Sequence, residues 1–122
     1  MSLTSTPFAG PFTTQLIAQS SANASPNNNV RGAATNLFLA RVDNSANPSQ
    51  VVYLHLYNNP APTVGTTAPD VTIMVAGGAI LESLWLTGIS FGTALSFACT
   101  TSGGLGGSSS PTNPVAVALA CS

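Results

Sequence analysis

The sequence predicts an all-β protein, a small antiparallel β-sandwich of jelly-roll-like or Ig-like type, with a small β-barrel as the alternative. Three observations carry this expectation. Short apolar runs alternate with polar residues at the two-residue period of a half-buried strand. Tracts rich in Asn, Gly, Pro and Ser punctuate them at short intervals. No stretch combines helical periodicity with enough length to stand as an isolated helix.

Residues 1–30 are expected to form an extended N-terminal arm and 31–122 a single β domain. In the arm, Leu3, Phe8, Phe12 and Leu16 are spaced among Ser, Thr, Pro and Gly, able to anchor on a neighbour or to fold back. "AQSSANASPNNN", Ala18 to Asn29, reads as turn or loop. "AATNLFLARV", Ala33 to Val42, is the first strand, with Leu37 and Leu39 expected on one face. "DNSANPSQ" follows as a turn with several Asx opportunities.

Val51 to Tyr57 carries the clearest alternation. Val52, Leu54 and Leu56 should face the core, which turns Tyr53, His55 and Tyr57 to the other side. Asn58 to Pro69 is a loop stiffened by three prolines. Val71 to Val75 is a short strand ended by Gly77 and Gly78. "AILESLWL", Ala79 to Leu86, has apolar residues on both faces: Leu81 and Trp85 on one, Ile80, Leu84 and Leu86 on the other. Such a strand requires cover on two sides. The next strand lies within Phe91 to Thr101. The Gly/Ser tract 102–110 reads as a flexible tip, and "VAVALACS" closes the chain with valines alternating with alanines.

Charge narrows the function classes. Only five of 122 residues are Lys, Arg, Asp or Glu, 4% of the chain, with a net charge of -1, against roughly 25% charged in an average soluble domain. Two arginines cannot neutralise a run of phosphates, so no nucleic acid is expected as a partner. The same poverty of cations disfavours an anionic lipid surface, and no apolar run is long enough to span a membrane. Residues 1–15 show neither a basic segment nor an apolar core, so no secretory signal is expected; the Asn-Ala-Ser at Asn23 is then a chance glycan motif. Copies with so little charge repel one another weakly.

Candidate chemistry is sparse. His55 is the sole histidine, and Asp43 and Asp70 are its nearest carboxylates in sequence; no spacing marks a triad, and an enzyme is not expected. The six Cys, His and carboxylate residues are scattered without metal-ligand spacing, and the glycine pairs lack the setting of a phosphate loop. No cofactor or metal is expected. On a hairpin around the glycine tract, Cys99 and Cys121 would each face other residues, so two buried free thiols are expected. Trp85, Tyr53 and Tyr57 offer a stacking platform for sugars, which keeps a carbohydrate-binding module with host surface glycans as an alternative. The residues expected at an interface are Phe8, Phe12, Tyr53, His55, Tyr57, Leu81 and Trp85.

"LYNNPAPTVGTTAPDVTIMVAGGA" followed by "TGISFGTALSFACTT" resembles a family of small tailed-bacteriophage virion proteins. The matching positions are Leu56, Tyr57, Pro62 to Thr66, Pro69, Gly88, Ile89, Phe91, Leu95 and Ser96. The likeness covers about half of the chain, and its specificity lies in the two motifs occurring together at this distance. Members of that family carry an acidic loop before the last strand, which the neutral tract 102–110 replaces here. The resemblance implies an all-β, self-associating particle component without catalytic residues. The expected function is therefore a capsid decoration or cement protein, located in the virion and assembled in the host cytoplasm. Its expected partners are further copies of itself, as a trimer, and the major capsid protein of the same phage. A tail or head-tail structural protein is the alternative.

Overall fold

A computed structural model describes residues 15–122. They form seven strands and, among the described residues, no helix. The strands are β1 (Gln15–Ala22), β2 (Thr35–Asp43), β3 (Val52–Asn58), β4 (Val71–Val75), β5 (Ile80–Phe91), β6 (Leu95–Thr100) and β7 (Val115–Cys121). Two antiparallel sheets result, ordered β1-β7-β2-β5 and β4-β3-β6. Neither closes on itself. The fold is a β-sandwich.

The alternation anticipated for β3 and β7 sets the core. Val52, Leu54 and Leu56 project from β3 toward Val115, Val117, Leu119 and Cys121 of β7, and all are buried. β6 adds Leu95, Phe97 and Cys99, and β2 adds Leu37, Ala40 and Val42. Each fully buried Val, Leu or Phe contributes about 1.5–3 kcal/mol of hydrophobic stabilisation, so these central strands dominate the packing.

Three elements depart from their expected form. The stretch 15–22, assigned to the arm, is strand β1, paired with β7 from Gln15↔Cys121 to Ala22↔Val115. Its residues have weak strand propensity; the pairing is supplied by the alternating Val/Ala strand beside it. In β2 the register shifts between Leu37 and Leu39. That bulge reverses the alternation, leaving Leu37 inside while Leu39, opposite Ala120, faces out. β5 runs on past Thr87 and Gly88 because it too bulges: Leu84 pairs with Leu39 and Ile89 with Leu37, so four residues of β5 face Phe38 alone. Gly88 makes this possible. Its φ of 80° lies in the left-handed region, and a Cβ there would sit 2.9 Å from the Phe38 ring.

β6 and β7 do not form a hairpin. The segment between them crosses from the three-stranded to the four-stranded sheet, so Cys99 and Cys121 lie in different layers. Both are free and buried, and burial pushes the Cys99 thiol up to about 12. The segment 23–30 completes the joint between layers by bonding to the outer edge of β6, with Asn27 and Phe97 exchanging backbone hydrogen bonds of 2.8 and 3.1 Å.

A buried amide cluster ties one end of the sandwich. Asn44 donates to the carbonyls of Gln50 (2.8 Å) and Ala76 (3.1 Å), and Asn47 donates to Asn44 Oδ1 (3.0 Å) and the Asn113 carbonyl (3.1 Å). Asn113 returns its backbone N–H to Asn47 Oδ1 at 2.8 Å. Three loops are thereby fixed to one another by side chains whose composition suggests surface.

Candidate interaction surface

The two sheets have unlike outer faces. On the three-stranded sheet, Tyr53, His55 and Tyr57 project outward from β3, as their alternation with the core residues requires. The protein's own loops cover that row. His55 is 3% and Tyr57 2% exposed. The Gly/Ser tract lies over Tyr53 and His55 as a strap, closed at its base by a Thr101 N–H to Ser109 carbonyl bond of 3.0 Å. Gly103 is pressed on the Tyr53 ring, where a Cβ would stand 2.8 Å from Cε1.

His55 is satisfied within this cover. Its Nε2 lies 3.1 Å from the Ser102 carbonyl and 2.8 Å from Thr100 Oγ1, and its Nδ1 lies 3.1 Å from Thr72 Oγ1. A carbonyl only accepts, so Nε2 carries the proton and the Thr72 hydroxyl donates to Nδ1. Burial lowers the affinity of the ring for a second proton; the Ser102 carbonyl opposes this. Neither carboxylate named with it is a partner: Asp43 accepts from the Ser45 N–H at 3.0 Å and Asp70 from the Asn58 N–H at 2.6 Å. Among the described residues, no three His, Cys, Asp or Glu side chains converge as metal ligands.

Among the described residues, none covers the outer face of the four-stranded sheet. The register lines up three rows across its outer face: Leu16, Ala120, Leu39 and Leu84; Ala18, Ala118, Arg41 and Glu82; and Ala116, Asp43 and Ile80. Leu16 and Leu84 are each 65% exposed, Ile80 51%, and Leu86, on the β5 bulge, 84%. The face carries one ion pair, Arg41 Nε to Glu82 Oε1 at 3.3 Å. Half-exposed pairs of this kind contribute little to stability. A hollow of about 190 Å³ lies over the small residues of β7, bordered by Ala18, Ser20 and Arg41.

Among the described residues, β5 also leaves one edge of this sheet unpaired, since its one partner there is β2. Sheet edges are ordinarily guarded by lysine, proline or short length. β5 spans twelve residues with neither Lys nor Pro, and Glu82 is its one charge.

Of the residues expected at an interface, the structure leaves few in place. His55 and Tyr57 are buried inside the subunit, and Tyr53 is half-buried beneath the strap. Leu81, opposite Val42, faces the core side and is 37% exposed because it stands on an edge strand. Trp85 packs against the core cluster. The aromatic platform for sugars does not form, because Trp85 belongs to one layer and the two tyrosines to the outside of the other. Phe8 and Phe12 lie outside the described residues. The exposed set on the outer face of the four-stranded sheet is instead Leu16, Ile80, Leu84 and Leu86, while Met74, Leu105 and Val51 are exposed elsewhere. Both faces of β5 are apolar in sequence, and only the pairing of Leu81 with Val42 decides which one turns out.

Comparison of the chain with protein-family models, with curated proteins and with solved structures finds no match.

Proposed function

We propose that this protein is a structural subunit of a bacteriophage virion, a capsid decoration or cement protein that works through contact rather than chemistry. The observation that carries the reading is the bare outer face of the four-stranded sheet. Contiguous exposed apolar surface on a small domain marks a contact site, and permanent interfaces resemble a domain core cut in half. The near absence of charge acts in the same direction, since it removes the repulsion that keeps monomers apart.

In this reading the face is covered by sister copies, as a trimer, and by the major capsid protein. The sequence likeness to small virion proteins supplies the particle; the geometry supplies the surface. Purified particles from a host expressing the intact phage, separated by density gradient and quantified by mass spectrometry, test the assignment. The protein is expected in the particle band at high copy number relative to tail proteins. Its absence from that band, with all of it in the unassembled fraction, overturns the reading.

A further inference from the structure

His55 is closed in by the strap, and no charge is closed in with it. β4 brings Thr72 against the ring, β6 brings Ala98 and Thr100, and the strap brings the Ser102 carbonyl. Its own strand adds Tyr53 and Tyr57 on the same face, the Tyr57 ring centroid 6.3 Å away. The strap 102–110 and the loop 58–69 contain no titratable residue. Asp70, just ahead of β4, is exposed and engages the Asn58 N–H. Among the described residues, the ring therefore has no carboxylate partner.

The hydrogen bonds suit the neutral ring. Nε2–H is shared between the Ser102 carbonyl and Thr100 Oγ1, and the Thr100 hydroxyl donates to that same carbonyl at 2.7 Å. Nδ1 accepts from Thr72. A second proton lands on Nδ1, turns the Thr72 hydroxyl away and leaves a charge shut off from water, which is costly without a partner. Relief comes from the weakest cover. β3 cannot yield, since it is bonded on both sides and packs the core with its other face. The strap can. Its residues are exposed apart from the half-buried Gly107, and its one large apolar side chain, Leu105, is 54% exposed. Segments with so little buried area open locally at low cost.

We infer that the tract 102–110 is an acid-released latch on the outer face of the three-stranded sheet, closed over neutral His55 and opening when the ring takes a second proton. The inference is independent of the assembly reading above. Opening uncovers Tyr53 and His55 beside Met74, which pairs with Tyr53 and is already exposed. Acid thus presents an aromatic and apolar row that is hidden at neutral pH. The direction follows from linkage. In the open form His55 binds its proton near the ordinary value of about 6.5; in the closed form burial lowers that affinity. Opening is therefore favoured as pH falls, by about tenfold per pH unit between the two values.

Hydrogen exchange followed by NMR reads the latch through the Thr101 amide, which donates to Ser109 across the base of the strap. Corrected for the intrinsic pH dependence of exchange, its protection is expected to fall about tenfold or more from pH 7 to pH 5. Amides of the β3–β6 ladder should keep theirs. The fall should share its midpoint with the titration of His55, whose ring resonances are unambiguous because it is the only histidine. His55→Gln keeps a donor for the Ser102 carbonyl and stays uncharged at either pH, so it should hold the strap closed throughout. If that variant does not fold, the coincidence of the two midpoints decides alone. Four results overturn the inference: constant Thr101 protection in the wild type, an equal fall in a folded His55→Gln, loss together with the ladder, or a midpoint apart from that of His55.

Discussion

Asn44 is wholly buried and donates to two carbonyls. Asn44→Ala leaves both without that donor and takes the acceptor from Asn47. Unsatisfied buried groups cost about 1–3 kcal/mol each, so this variant should lose at least that much in urea unfolding while nearby exposed asparagines tolerate alanine. Nothing in the sequence separates Asn44 from its neighbours Asn47, Asn58 and Asn59; only the three loops that converge on it do. Gly88→Val should likewise destabilise, by about 2 kcal/mol, because it combines a strained backbone with a clash on Phe38. His55 gives a pH test. Its folded-state proton affinity is lowered by burial, so its contribution is complete above the unfolded value near 6.5 and is lost as pH falls below it. The melting temperature should therefore drop between pH 7 and pH 5, and His55→Gln should flatten that slope.

At the scale of the element, the strap 102–110 shows how composition and structure part. Four of its residues are Gly and four are Ser, the makeup of a flexible linker. Yet it is held by contacts its composition does not announce: Gly103 against Tyr53 and the Ser102 carbonyl on His55. Replacing Gly103 to Ser108 with a shorter link should bare His55, raising its titration midpoint toward the unperturbed value in an NMR titration. An unchanged midpoint would show that the strap does not supply the burial. The strands were legible where alternation was strict, as in β3 and β7, since a period of two leaves one choice of core face. β1 was not, because "AQSSA" owes its extension to β7. The bulges of β2 and β5 were not either, since neither the extra residue in Leu-Phe-Leu nor the looped-out 85–88 of β5 breaks the apolar pattern. That is why Leu39 was expected beside Leu37, and why Tyr53 and His55 of β3 were expected in an interface that the strap already fills.

For the whole molecule, charge poverty and the doubly apolar β5 were readable from the chain and pointed to a surface needing cover. Which side of β5 needs it was not, because Leu81 and Trp85 are as apolar as Ile80, Leu84 and Leu86. The register against β2 selects the second set. Substituting Leu84 with Lys should therefore abolish self-association with little change in unfolding free energy, since Leu84 is already 65% exposed in the subunit. Substituting Trp85 with Lys should do the reverse, unfolding the subunit first because that side chain packs on the core. Analytical ultracentrifugation beside thermal melts separates the two effects. The bare sheet face makes the simplest experiment the most informative one: the molar mass of the wild-type protein across micromolar concentrations in physiological salt. A discrete multiple of the 12.2 kDa subunit mass is expected. A single subunit mass throughout that range would mean that this face stands open to water, and that the protein does not assemble through it.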